Sequence, residues 1–115
     1  MAISDEYKDL VGYLEKAIKI VDKMGMRILD FKKHSVKIML PKKPNVNHVG
    51  TVYAGSLFSL ADFARGVLFF SAFDLRTCYP LLKEVTITFK RPATTDITVE
   101  TTMTPETGRT DQKDY

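Results

Sequence analysis

The sequence predicts an α+β fold in which a curved antiparallel sheet wraps around a long central helix, with an additional N-terminal helix outside. Three observations predict it: an amphipathic N-terminal segment, three stretches of period-two alternation, and a long apolar segment after a loop rich in Pro, Asn and Gly. A chain of 115 residues, 44% of them hydrophobic, suits one domain with its own core. We therefore expect a single domain over residues 1–115, with a polar tail at residues 105–115.

The N-terminal segment, residues 4–24, predicts one amphipathic helix. Ser4 is placed to cap this helix and Gly25 to end it. The apolar residues recur at spacings of three and four, which gives the helix one buried face. They are Tyr7, Leu10, Val11, Leu14, Ala17, Ile18, Val21 and Met24.

Four strands are predicted, over residues 26–31, 35–40, 84–90 and 97–103. In the last three, Val, Ile, Leu or Phe alternate with polar residues, as in a half-buried antiparallel strand. Four strands are few to cover a helix as apolar as the next one described. We therefore expect either further chain beyond Tyr115 or a partner chain to supply the missing cover.

The second helix is predicted over residues 54–73, and apolar residues surround nearly its whole circumference. A helix that is apolar all round is typically buried. The exceptions are spaced by three and suggest a narrow polar stripe: Ser56, Ser59, Asp62 and Arg65. A buried helix with a single polar stripe is expected to line a site.

The formal net charge is +3, and the basic residues occur as separated pairs at residues 32–33, 42–43 and 90–91. Such pairs are typical of solvated loop ends, although a few cations at one rim also suit a phosphorylated small molecule. Neither a nucleic-acid-binding signature nor a glycine-rich phosphate loop is present. Asp62 and Arg65 interrupt the longest apolar stretch, which disfavours a membrane span.

The single cysteine, Cys78, excludes an internal disulfide and favours a reducing, cytoplasmic compartment. The first residues lack the basic and apolar regions of a signal peptide, which agrees with that compartment. His34, His48 and Cys78 lack the spacing of metal ligands, so we expect no metal site.

A specific pattern spans the loop and the start of the second helix. Residues 47–62, NHVGTVYAGSLFSLAD, resemble the motif N-x-x-G-T-x-H-G-G-x-x-x-x-L-x-D of hotdog-fold acyl-coenzyme A thioesterases. Residues 89–96, FKRPATTD, resemble the family's strand-turn-strand sequence Y-x-R-P-A-x-x-G-D. The Tyr-Ala-Gly variant of the first motif is most similar to a little-characterised branch of that superfamily.

The resemblance implies a hotdog homodimer, or a homotetramer built from it, with the active site at the interface. Asp62 of one chain would face residues 47–55 of the other. The substrate would be an acyl thioester of coenzyme A or of an acyl carrier protein, with no cofactor. Its acyl chain would run along apolar surfaces of the second helix such as those of Phe58, Leu60 and Phe63.

Residue by residue, the resemblance implies a catalytic carboxylate at Asp62, acting as nucleophile or general base. The backbone amide of Ala54, where relatives carry glycine, would be the oxyanion donor, and Asn47 would orient the substrate. Thioester hydrolysis needs an attacking oxygen and donors for the oxygen that becomes negative, and a helix N-terminus offers unpaired N–H groups. The residues expected to contact substrate are Tyr53, Gly55, Phe58, Ser59, Glu84, Lys90 and Arg91.

Two features depart from the family pattern. Tyr53 replaces its histidine, and residues 81–84 offer no Ser or Thr to hold a water, so Glu84 is the substitute. Without the motif, Asp62 and Arg65 at a spacing of three would be interpreted as a structural ion pair. The alternatives left open are a non-catalytic acyl-thioester-binding dimer and, less favoured because the helix lacks histidine, a hotdog dehydratase.

Overall fold

The computed structural model describes residues 3–72 and 87–102. Its helices are α1 (Lys8–Ala17), α2 (Lys19–Met24) and α3 (Ala54–Ala72). Its strands are β1 (Arg27–Lys32), β2 (Ser35–Leu40) and β3 (Ile97–Thr102), and short 3-10 turns lie at Asp5–Tyr7 and Lys43–Asn45. The fold is therefore α+β, as the sequence predicts.

The sheet is antiparallel, with the strand order β1-β2-β3. A two-residue turn joins β1 to β2, and His34 in it has a left-handed backbone with φ 68°. The predicted alternation of β2 is confirmed, because Val36, Ile38 and Leu40 are almost fully buried while their neighbours are half-exposed. β2 pairs with β3 from Ser35↔Thr102 to Leu40↔Ile97.

The strand predicted over residues 84–90 is wrong in its described part. Residues 87–90 have no regular secondary structure, and Ile87 and Phe89 are 39% and 49% exposed. An alternating pattern becomes a strand only where a neighbouring strand offers hydrogen bonds, and within residues 3–72 and 87–102 only β2 pairs with β3. The described part of the sheet therefore has three strands.

The predicted N-terminal helix is broken at Ile18, which has an extended backbone (φ −105°, ψ 112°). A β-branched side chain favours that region, and the break lets α1 bury Val11 and Leu14 while α2 buries Val21. Ser4 begins the 3-10 turn but makes no side-chain capping hydrogen bond. The prediction for Gly25 is confirmed, because it ends α2 with φ 80°.

Helix α3 packs on β2 and β3 through one face rather than its whole circumference. Most of the buried residues lie along one side of the helix, and Phe69 is buried on the other side. The buried residues are Ser56, Leu60, Phe63, Ala64, Val67, Leu68 and Phe69. Ala61 is exposed and Phe58 half-buried, so the expectation of an all-round buried helix is wrong for one chain, whose sheet covers only one side. Among the described helices, none combines the length and apolarity needed to cross a membrane.

Candidate active site

The loop before α3 is built around Asn47. Its Oδ1 accepts hydrogen bonds from the backbone N–H groups of Val49 and Thr51, each at 3.0 Å, and its Nδ2 donates to Thr51 Oγ1 at 2.8 Å. The turn is closed by Gly50, whose backbone has φ 86° and donates to the Asn47 carbonyl. Because a Cβ disfavours that φ, glycine suits the turn. Asn47 thus holds the loop and keeps one amide hydrogen available.

The N-terminus of α3 is fixed by the segments around it. The N–H of Val52 donates to the Ala93 carbonyl and that of Tyr53 to the Asn45 carbonyl, both at 2.8 Å. The N–H groups of Ser56 and Leu57 donate to the Tyr53 carbonyl.

The two backbone amides between Tyr53 and Ser56 make no such hydrogen bond to a described residue. Within the described part of the chain, the backbone N–H groups of Ala54 and Gly55 have no hydrogen-bond partner. Two such donors at the positive end of a 19-residue helix can donate hydrogen bonds to an oxygen that becomes negative.

A pocket of about 290 Å³ opens beside these amides. It brings together four of the predicted site residues, namely Asn47, Ala54, Lys90 and Arg91. Lys90 and Arg91 are exposed, and neither forms an ion pair with another described residue. The rim of this pocket is therefore cationic. The other residues that line it are Thr51, Val52, Leu57, Phe89, Pro92 and Ala93.

Asp62 lies in a different pocket, of about 300 Å³, between α1 and α3. Its Oδ1 is 3.5 Å from Nη2 of Arg65, and the two side chains are 42% and 31% exposed. The ion pair that the sequence suggested is therefore present, but at this length and exposure it contributes little to stability. The carboxylate remains accessible to water and to a ligand in the pocket.

The predicted polar stripe is not straight. On a helix of 3.6 residues per turn, three residues rotate through about 300°, so each residue in a series spaced by three is displaced by about 60° around the helix from the one before. Ser56 is accordingly buried, Ser59 turns its Oγ back to the Gly55 carbonyl at 2.9 Å, and Asp62 is half-exposed. The serines therefore do not form one seam with the carboxylate.

Within one chain, the carboxylate and the free amides do not meet. Asp62 comes eight residues after Ala54, which is about 12 Å along the helix axis at 1.5 Å per residue. A base and an oxyanion donor must both lie about 3 Å from atoms of the same carbonyl group. The structure places the predicted catalytic residues in two separate pockets.

The remaining predicted residues have simpler surroundings. The Tyr53 side chain is 57% exposed and its ring packs against Gly55. Phe58 is half-buried, and Glu84 lies outside the described residues. The described ranges contain no group of three or more His, Cys, Asp and Glu side chains placed to hold a metal ion.

The family model for "Domain of unknown function (DUF4442)" matches residues 16–115. The chain belongs to this family. A crystal structure from Pseudomonas aeruginosa, described as a "Protein of Unknown Function" and "Probable Thioesterase", is 35% identical with a TM-score of 0.83, covering 99% of this chain and 75% of that one. No curated protein matches the chain.

Two more distant structures share the fold of this family member. One, from Shewanella oneidensis and described as a "putative thioesterase", has a TM-score of 0.72 at 21% identity and covers 88% of this chain and 78% of its own. The other, a protein "with unknown function" from Chlorobaculum tepidum, has a TM-score of 0.72 at 19% identity and covers 95% and 68%. These two likenesses show a shared fold.

Sequence reasoning missed Asn45, which supports the α3 N-terminus of this family member. Asn45 is 4% exposed, and its Nδ2 donates to the carbonyls of Met24 and Pro41, both at 2.8 Å. Its own carbonyl accepts from Tyr53 N–H, directly before Ala54. An Asn after a Pro is a recognisable turn signal, but composition does not show which loop residue is buried.

Proposed function

We propose that this protein hydrolyses acyl thioesters of coenzyme A or of an acyl carrier protein as a hotdog-fold homodimer. The observation that carries the proposal is the pair of amides at Ala54 and Gly55, which have no hydrogen-bond partner among the described residues and lie on the same helix as the accessible carboxylate of Asp62. The relative from Pseudomonas aeruginosa, described as a "Probable Thioesterase" at 35% identity, supports the same activity.

In this mechanism, the Asp62 carboxylate takes a proton from water as the water oxygen attacks the thioester carbonyl carbon. The carbonyl oxygen becomes negative and accepts hydrogen bonds from the Ala54 N–H and from the remaining amide hydrogen of Asn47. The C–S bond then breaks, the carboxylic acid is released, and the thiolate takes the proton from Asp62. In the other variant of the mechanism, the Asp62 carboxylate attacks the carbonyl carbon and the C–S bond breaks to release the thiolate. Water then hydrolyses the resulting anhydride, which gives the carboxylic acid, regenerates the carboxylate and supplies the proton that the thiolate takes.

The site is shared between two chains in this proposal. A separation of about 12 Å along one helix prevents Asp62 and Ala54 of the same copy from acting on one carbonyl. In the proposed two-fold dimer, Asp62 of one copy would instead lie opposite Ala54 of the other. A second copy would also cover the exposed side of α3 around Ala61 and Phe58. A tetramer would pair two such dimers.

The pocket at the α3 N-terminus would hold the coenzyme end of the substrate. Lys90 and Arg91 stand at its rim beside Ala54, where their charges would meet the phosphates. Tyr53 and Gly55 would contact the pantetheine arm. Ser59 would contact the thioester, and Glu84 would hold the attacking water.

Hydrolysis of acyl-CoAs from short to long chains and of aromatic acyl-CoAs, followed by release of free thiol, tests the activity. Asp62→Asn is expected to lower kcat by about 100- to 10,000-fold, since it removes the base. Equal thiol release by wild type and Asp62→Asn at every chain length would contradict the proposal. Tight acyl-CoA binding without thiol release would instead identify the non-catalytic binding dimer.

The backbone donor can be removed on its own. Proline is tolerated at the first position of a helix, where it lacks only an N–H that the helix does not use. Ala54→Pro is therefore expected to fold and to lose about 100-fold or more in kcat. Ala54→Gly, the matched control, keeps the N–H and should retain activity.

Mixing the two inactive variants tests the shared site. A mixed dimer contains one Asp62→Asn chain and one Ala54→Pro chain. One of its two sites combines the intact Asp62 of the Ala54→Pro chain with the intact Ala54 amide of the Asp62→Asn chain, and the other site has lost both groups. Equal mixing after unfolding and refolding should restore about one quarter of the wild-type activity, because half of the dimers are mixed and each has one intact site. If the mixture recovers no activity, Asp62 and the Ala54 amide act within the same chain, which would contradict the shared site.

A further inference from the structure

The pocket that contains Asp62 has a wall that the motif does not include. Its residues come from α1 and α3 and are, apart from Asp62 and Arg65, apolar or small. The contribution of α1 consists of Tyr13, Leu14, Ala17 and the break residue Ile18. On α3 the apolar lining is Phe63, Gly66, Val67 and Phe70.

Two large side chains of this wall, one on α1 and one at the break after it, are exposed to solvent. Tyr13 is 64% exposed and Ile18 is 50% exposed, and both line the same pocket. Ile18 lies there because the chain leaves the helical conformation at this residue and resumes it at Lys19. Large apolar side chains around a concave space indicate a site for an apolar group of a ligand.

The pocket is continuous with the proposed base. Asp62 is one of its lining residues, so an apolar group inside it would end next to the carboxylate. Of the three residues that the sequence favoured for the acyl chain, Phe63 lines this pocket, whereas Phe58 and Leu60 do not, and Leu60 is 3% exposed.

The volume sets the size of the group. An apolar cavity of about 150 Å³ accommodates benzene, or about 25 Å³ for each carbon. A space of about 300 Å³ thus suits on the order of eight to twelve carbons by the same ratio.

We propose that the pocket between α1 and α3 binds the acyl chain of the substrate and selects medium-length chains of about eight to twelve carbons. This inference rests on the proposed thioesterase function. It makes α1, and Ile18 in particular, a determinant of chain length rather than a cover for the sheet.

A larger side chain introduced at Gly66, on helix α3, would occupy part of the pocket. A Cβ built on Gly66 meets no atom within 4 Å, and Gly66 lines the pocket. Gly66→Leu adds four carbons and would fill about 100 Å³, a third of the space. Gly12 is the matched control, because it is an exposed residue of α1 whose added Cβ also meets nothing within 4 Å, and it is not part of the pocket lining.

The test compares two-carbon and ten-carbon acyl-CoAs in the wild-type protein, Gly66→Leu and Gly12→Leu. Each buried methylene strengthens binding about fourfold, so displacement of four carbons in Gly66→Leu should lower the ratio of kcat/KM for the ten-carbon to the two-carbon substrate by about 200-fold. The ratio should not change in Gly12→Leu. If Gly66→Leu does not fold, Gly66→Ala should lower the ratio about fourfold.

Binding of the non-hydrolysable thioethers S-ethyl-CoA and S-decyl-CoA, measured by calorimetry, separates this inference from the proposed function. Selective weakening of S-decyl-CoA binding in Gly66→Leu supports the pocket even if no thioester is hydrolysed. Unchanged discrimination between the two thioethers, or an unchanged chain-length profile in an active enzyme, would overturn the pocket assignment and leave the thioesterase proposal standing.

Discussion

The ring of Tyr53 packs directly on Gly55, where an added Cβ would lie 2.6 Å from Cε2 of the tyrosine. The contact joins the last residue before α3 to the second residue of the helix. It adjoins the unpaired Ala54 amide, so the position of the ring affects how a ligand approaches that donor.

A double-mutant cycle tests this contact. Gly55→Ala in a Tyr53→Ala background should stabilise the protein by about 0.5–1 kcal/mol, because alanine is the better helix former and restricts the unfolded chain. In the wild-type background the clash with the ring should cancel most of that gain. Urea unfolding of the four proteins measures the coupling, and additive effects would show that the ring does not rest on Gly55.

Replacement of Asn45 should weaken the whole support of the site. Asn45→Ala leaves the buried carbonyls of Met24 and Pro41 without their donor and should cost about 2–4 kcal/mol of unfolding free energy. Asn45→Asp should lower the unfolding free energy further at neutral pH, because the negatively charged aspartate would face two carbonyl oxygens that it cannot donate to. The same stability for Asn45→Ala and wild type in urea unfolding would contradict this role.

Asn47 offers a way to separate loop support from substrate contact. Asn47→Asp keeps the acceptor for the N–H groups of Val49 and Thr51, so its unfolding free energy should stay within about 1 kcal/mol of wild type. It removes the amide donor, so kcat should fall by about 100-fold. Asn47→Ala should lose stability as well as activity. Full activity in Asn47→Asp would restrict Asn47 to holding the loop.

The Asp62–Arg65 pair should contribute little to folding. It is partly exposed and 3.5 Å long, so Asp62→Asn should change the unfolding free energy by less than about 1 kcal/mol. Combined with a large loss of thioester hydrolysis, this result would assign the carboxylate to chemistry. A loss of several kcal/mol in Asp62→Asn would identify the pair as structural instead.

Local patterns were sufficient for the parts of this fold in which neighbouring residues decide the conformation. The alternation of β2, the end of α2 at the left-handed Gly25 and the start of α3 at Ala54 follow from period, turn chemistry and capping. The motif also indicated which residues lie near the α3 N-terminus, and Asn47, Ala54, Lys90 and Arg91 do share a pocket there.

Tertiary structure decided everything that depends on which surfaces meet. The break at Ile18, the missing strand at residues 87–90 and the one-sided burial of α3 all depend on available partners, which a linear pattern does not contain. The rise of the helix separates Asp62 from Ala54 and places them in two pockets. The sequence by itself thus determined the local elements and the identity of the candidate groups. Only the tertiary fold, which brings residues of α1 and α3 to the walls of one pocket, made a concave site around Asp62, because such a surface requires elements distant in the chain.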